Sequence, residues 1–290
     1  MPDSENREAV LAALKTLKNL PTLPSIFTAL EQIAGNPNAA AQDVAEVISR
    51  DPVASSRILR VANSSYYGHK EPAEDLSTAV FRLGIGEIKR IAMSIGTLQV
   101  FAKTPNHRFL KELWIHSLSV AVIAGELSKA FNLPNHEQTY LAGLLHDIGK
   151  VFFACCFTDE YLIAEAEIRE NKGDPLMIET DIIGITHLEA AQRIVIQWKM
   201  PPHAGTAIEN HHNPLAVAGE DRLLALCIGI ANRLARHFAK MENAEESPEF
   251  QGWISATRNL AKLDENFTFL SLVETGEPAY SKAQEFSRSL

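Results

Sequence analysis

Ten histidines are spread over the 290-residue chain, and five stand where their neighbours could put them to chemical use. The run Leu144-Leu145-His146-Asp147-Ile148-Gly149-Lys150 sets an imidazole beside a carboxylate within an apolar helical stretch. A buried carboxylate is costly unless a cation, a hydrogen-bond donor or a metal ion meets it. Adjacent helix positions point about 100° apart, so both groups reach one ion only across the groove to a neighbouring helix. Leu113, His116, Val120, Ile123 and Leu127 follow three- and four-residue steps, which places His116 on the inward stripe of such a neighbour. His187 follows Thr186 at a helix start, and His211-His212 precede Asn213-Pro214, where a segment ends.

Together His116, His146, Asp147, His187, His211 and His212 offer five imidazoles and one carboxylate. That mixed nitrogen and oxygen set suits iron, manganese, nickel or zinc better than calcium or magnesium, which prefer oxygen shells. Six donors exceed the needs of one tetrahedral zinc, so a pair of ions bridged by Asp147 fits them geometrically. Each residue also has a plainer reading. A single histidine on an apolar helix face is more often a hydrogen-bonded core residue, and His146 and Asp147 could satisfy one another. The other histidines, His69, His107, His136, His203 and His237, read as surface or boundary residues.

The elements that must position these groups are helices. The apolar pattern keeps a helical period, with no convincing strand alternation and no Asn-Gly hairpin turn. Asp51-Pro52 is an N-cap followed by a first-turn proline and opens a helix from Pro52 to about Ala62. Thr186 to Glu189 reads as a capping box opening a helix to Lys199. Breaks fall at Gly35-Asn36-Pro37, Asn132-Leu133-Pro134, Lys172-Gly173-Asp174-Pro175 and Met200-Pro201-Pro202. The expected fold class is all-α, with about a dozen helices. The stretch from Phe101 to Phe109 gives the best internal boundary, between an N-terminal helical subdomain over 1–108 and a histidine-rich domain over 109–275. Phe250, Trp253, Ile254, Leu260 and Leu263 suggest one or two late helices packing back on the body, and the polar 276–290 reads as a frayed tail.

Composition bounds the partners. Hydrophobic residues make up 46% and charged residues 22%, which is ordinary for a globular chain with a sizeable core. With 27 Lys+Arg against 36 Asp+Glu, the formal charge of −9 argues against a broad grip on nucleic acid. No stretch is long and apolar enough for a spanning helix, and the polar start from Met1 to Glu8 lacks an export pattern, so neither nucleic acid nor membrane is an expected partner. Cys155, Cys156 and Cys227 form no CxxC pair and read as reduced thiols, with the cytoplasm as the expected location.

At several of these places the chain resembles the HDOD family, the HD-related output domains of bacterial signalling proteins. The front-half motifs are Leu20-Pro21-Thr22-Leu23-Pro24, Ile48-Ser49-Arg50-Asp51-Pro52, Arg57 through Ser64 and Thr78 through Gly84. Those of the back half are Trp114-Ile115-His116-Ser117, Ala142 to Lys150, His187 to Ala191 and Trp198 through His212. The back half is also similar to the HD-GYP phosphodiesterases, which hydrolyse cyclic di-GMP at a bi- or trinuclear metal centre. That similarity implies metal-ligand roles for His116, His146, Asp147, His187, His211 and His212, and a phosphate contact for Lys150. Two places depart from the catalytic pattern: Ala231-Asn232 stands where an Ala-Asp dipeptide is expected, and His212-Asn213-Pro214-Leu215 lacks the Gly-Tyr-Pro loop.

The resemblance therefore implies an HD-like helical bundle preceded by an N-terminal output subdomain. Its expected function is signal transduction, without hydrolysis, through a retained metal site that favours iron over manganese, nickel or zinc. Signalling proteins are its expected partners. The alternative is a metal-dependent phosphohydrolase acting on a nucleotide or another phosphate-containing ligand, with Asp147 and Lys150 in catalysis.

Overall fold

The computed structural model describes residues 4–16, 40–64, 67, 71–102, 107–171, 173–240, 243–244 and 247–289. Among the described residues the elements are helices, with no strand. The front layer comprises α2 (Ala41–Ser49), α3 (Pro52–Ala62), α4 (Leu76–Leu83) and α5 (Ile85–Ala102), after an N-terminal α1 (Ser4–Thr16). Asp51 caps α3 as its sequence implies: the carboxylate accepts from the Val53 and Ala54 amides at 2.9 and 3.0 Å. Pro52 fills the first helical position, where a missing N–H costs nothing. Ile48, Ile58, Val61, Ile88 and Ile91 bury their side chains completely and join the core of the back half without interruption.

The back half is built on α6 (His107–Ala130), which α5 also contacts. Packed on α6 are α7 (His136–Leu145), α13 (Asp221–Phe238) and α15 (Phe269–Ser289). The α6–α7 crossing is close, because a Cβ on Gly143 would lie 2.9 Å from the Ala121 Cα. From α7 the chain runs into α8 (Ile148–Cys156) and α9 (Thr158–Asn171), then α10 (Pro175–Ile183), α11 (His187–Gln197) and α12 (Pro202–Glu209). A short 3-10 turn, Pro214–Ala216, leads to α13, and α14 (Pro248–Leu260) packs on α13. Lys89 of α5, almost fully buried, pairs with Glu137 of α7 and ties the front layer to the back.

Two expectations change. The segment 276–290 is the second half of α15 through Ser289, and not a frayed tail: Ala279, Ala283 and Phe286 recur at four- and three-residue steps and are buried. A narrow stripe of small and aromatic side chains is enough to dock a helix whose other faces are polar. His146 and Asp147 do not lie inside one continuous helix; they form the turn between α7 and α8. The boundary expected around Thr104-Pro105-Asn106 and the Leu20-to-Pro24 motif fall outside the described residues. No helix among the described residues is long and apolar enough to cross a membrane.

Candidate metal centre

Four structural units bring the six side chains to one place. His116 projects from the middle of α6, and His146 and Asp147 occupy the α7–α8 turn. His187 opens α11, where the Thr186 hydroxyl accepts from the Glu189 amide at 3.1 Å. His211 and His212 lie in the turn after α12, whose C-cap is Asn210. Gly149 lets α8 meet the start of α11: a Cβ there would come within 2.0 Å of the His187 carbonyl oxygen.

The rings form a connected set. Ring centroids lie 5.2 Å apart for His116–His146, 4.8 Å for His146–His211 and 4.4 Å for His211–His212. His187 closes the ring set at 5.6 Å from His211 and 5.2 Å from His212. Asp147 sits at the middle. Its Oδ1 is 3.4 Å from His187 Nε2 and 3.9 Å from His211 Nε2. Its Oδ2 is 3.4 Å from His146 Nε2, 3.9 Å from His116 Nε2 and 2.8 Å from Lys150 Nζ. The donor atoms divide into two groups, His187–His211–His212 and His116–His146–Asp147, each gathered within 4.8 Å.

Whether these residues suit a metal is decided by their unpaired atoms. The Nε2 atoms of His146, His187, His211 and His212 and the Oδ1 of Asp147 are buried and make no hydrogen bond. A cluster of core histidines would use those atoms, since an unsatisfied buried polar group costs about 1–3 kcal/mol. The opposite ring nitrogens are fixed. His146 Nδ1 donates to the Gly143 carbonyl at 2.8 Å, His211 Nδ1 to the Ile208 carbonyl at 2.7 Å, and His187 Nδ1 to Glu179 at 2.7 Å. Each bond turns an Nε2 lone pair inward, as metal-binding histidines require. The set fits a divalent transition metal.

Electrostatics keep His116, His211, His212 and Asp147 in their ligating forms. Burial, helped by His146, lowers the His116 pKa to about 3, and burial with His187 lowers that of His212 to about 2. His211 is also held well below the ordinary histidine value, first by burial and then by His212. Burial opposes ionisation of Asp147, but His146 and Lys150 outweigh it and hold its pKa well below the ordinary value. Lys150 is held above its usual pKa by Asp147, which outweighs its burial. Access is one-sided: His146, His187 and Asp147 are closed off, while the side chains of His116 and Lys150 keep 20% and 17% exposure.

Glu179 escaped the sequence reading. It is fully buried on α10 and accepts from both the backbone amide and the Nδ1 of His187. Its one sequence signal is weak: it is one of two acids, with Asp181, in the largely apolar run Pro175–Ile183, eight residues ahead of a histidine at a helix start. Asn232, in the place of the expected aspartate, is buried on α13 with its side-chain oxygen unpaired.

A sequence model described as the HDOD domain matches residues 20–214. The chain belongs to the HDOD family. The HDOD match takes in every residue of the cluster and leaves α1, α13, α14 and α15 outside it. An uncharacterized protein of Treponema pallidum (strain Nichols) is 27% identical over 222 residues, which is 76% of this chain and 43% of the relative. The chain thus spans less than half the length of that curated relative. In structure, an HDOD protein of unknown function from Geobacter sulfurreducens matches at a TM-score of 0.84 with 21% identity, covering 99% of each chain. A candidate phosphohydrolase from Shewanella amazonensis SB2B matches at 0.73 with 23% identity, covering 97% of this chain and 98% of its own. At these identities the structural likeness speaks for the fold alone.

Proposed function

We propose that this HDOD chain is a bacterial signal-transduction module, non-hydrolytic, built around a divalent-metal centre held by His116, His146, Asp147, His187, His211 and His212. The observation that carries it is the set of buried, unpaired Nε2 atoms gathered around Asp147. A metal ion bound there would supply what the empty hydrogen-bond positions lack, and it would cross-link α6, the α7–α8 turn, α11 and the turn after α12. Such a cross-link couples the shape of the bundle to ligand state, which suits a domain read by signalling partners. Iron is the ion that the family resemblance favours, while the imidazole-rich set itself suits iron, nickel or zinc.

Three features weigh against hydrolysis. Asn232 replaces a carboxylate that would add negative charge for a second ion. The segment after His212 turns through a buried Pro214 instead of forming a Gly-Tyr-Pro loop. Only His116, Lys150 and the half-buried His212 give the centre an opening. The second reading, a phosphohydrolase, is favoured by one observation: Lys150 stands at that opening with its charge intact, where it could meet a phosphoryl oxygen.

The test is metal analysis of protein purified without chelators, paired with phosphoester assays on cyclic dinucleotides and simple aryl phosphates. The expected outcome is metal near stoichiometry, lost in Asp147→Ala, with no turnover above the metal-only blank. Metal-dependent turnover abolished by Asp147→Ala would transfer the function to the second reading. Protein carrying only trace metal would remove both.

A further inference from the structure

The three buried rings with fixed Nδ1 atoms are not anchored alike. His146 and His211 donate to backbone carbonyls three residues earlier, which are neutral acceptors. His187 donates to a carboxylate: Nδ1 lies 2.8 and 2.7 Å from the two oxygens of Glu179, and the His187 amide donates to the same group at 2.7 Å. Glu179 is fully buried, and among the described residues no Lys or Arg forms an ion pair with it. An ionised carboxylate in that position needs positive charge from somewhere. The His187 ring bonds it directly to the centre, and Lys150 feels its charge only through space.

We propose that Glu179 is a positioning residue that makes His187 the strongest imidazole donor of the centre, so that the His187–His211–His212 group is the tighter of the two halves. This rests on the metal reading above. The two groups differ in how their negative charge is used. The His116–His146 group has Asp147, but Lys150 already draws on its Oδ2 at 2.8 Å. The His187 group shares the unpaired Oδ1 of Asp147, 3.4 Å from His187 Nε2, and it gains a second carboxylate at one remove through the Glu179–His187 bond. A carboxylate behind a ligating imidazole raises the basicity of the metal-facing nitrogen and fixes the ring, and its loss typically costs 10–100-fold in affinity. Glu179 sits on α10, outside the helices that carry the donors, so it can be changed without removing a donor atom.

The experiment is a Co2+ titration of metal-stripped wild type, Glu179→Gln and Glu179→Asp, read by visible ligand-field absorption and chelator competition. Folding of each metal-free protein is checked by circular dichroism. In wild type titrated in parallel with diamagnetic Zn2+, the first equivalent is expected to perturb the ring signals of His187, His211 and His212 in NMR before those of His116. Glu179→Gln should weaken that first step about 10–100-fold and shift its absorption bands, and Glu179→Asp, which keeps the charge, should recover part of the loss. A folded Glu179→Gln that titrates like wild type overturns the proposal, as does a first equivalent that perturbs His116 before His187. Should Glu179→Gln fail to fold, Glu179→Asp decides: weakening of the first step supports the proposal and an unchanged first step overturns it. Wild type that takes up no Co2+ overturns the metal reading itself, a result distinct from equal binding by the variant.

Discussion

Adding one methyl group at Gly149 tests how the bundle holds its centre. In Gly149→Ala the new Cβ would lie 2.0 Å from the His187 carbonyl oxygen, 2.7 Å from its carbonyl carbon and 2.9 Å from its Cα. All three are backbone atoms, so no side chain can swing away to make room. Ordinary carbon contacts lie near 3.5–4.0 Å, so the start of α11 must retreat from α8 by more than about 1 Å. Overpacking of this kind costs about 1–3 kcal/mol, and the rigid backbone on both sides places it at the upper end. For a chain of this length about 3 kcal/mol lowers the thermal midpoint by roughly 5 °C. The same retreat carries the His187 ring away from Asp147, so bound metal should fall together with stability. Gly252→Ala is the control. Gly252 is exposed on α14 with nothing near its missing Cβ, and alanine there should stabilise by about 0.5–1 kcal/mol. Thermal denaturation and metal content of the two variants check this. A Gly149→Ala protein as stable and as metal-rich as wild type would mean that α8 and His187 do not meet at that glycine.

Three further outcomes follow from the packing and the charges. His116 and His212, with pKa values of about 3 and 2, and His211, also lowered, stay neutral in the folded protein where the unfolded chain takes up protons near pH 6.5. The folded state therefore binds fewer protons below that pH, and the metal-free protein should lose about 1 kcal/mol per imidazole between pH 6.5 and 5.5; urea midpoints that do not move over that interval would contradict it. Phe286→Ala, at a side chain 4% exposed on α15, should cost about 3–5 kcal/mol in chemical denaturation, whereas a frayed end would lose almost nothing. Arg7 of α1 reaches both oxygens of Glu189, at 3.2 and 2.9 Å, and the Gly184 carbonyl at 3.0 Å, but its side chain is 46% exposed. Arg7→Ala should therefore cost only about 0–1 kcal/mol, and a loss of several kcal/mol would show that α1 is a structural clamp on α10 and α11.

Much of the site was legible because its parts carry local signals. Asp51-Pro52 and Thr186 announced helix starts that the structure keeps, and the stripe through His116 pointed the ring inward. His146-Asp147 was legible as a pair but not as a turn, since the residues on both sides are apolar enough to continue one helix. Only the packing of α7 and α8 on different neighbours shows the break. Glu179 was illegible for a different reason: its role depends on a contact made across the Gly184 turn, and nothing in the spacing of Glu179 and His187 predicts it. The polar composition of 276–290 hid a helix, because two alanines and a phenylalanine make a stripe too thin to stand out against charged neighbours.

In the proposed function the rings and Asp147 converge to hold a metal ion. Its most direct test is a crystal structure of protein grown without chelators, with anomalous scattering collected at the iron, nickel and zinc edges. An anomalous peak at about 2.0–2.3 Å from the Nε2 atoms of His187 and its neighbours would match the account. Rings turned outward, with their Nε2 atoms bonded to solvent or main-chain oxygens and no peak among them, would contradict it.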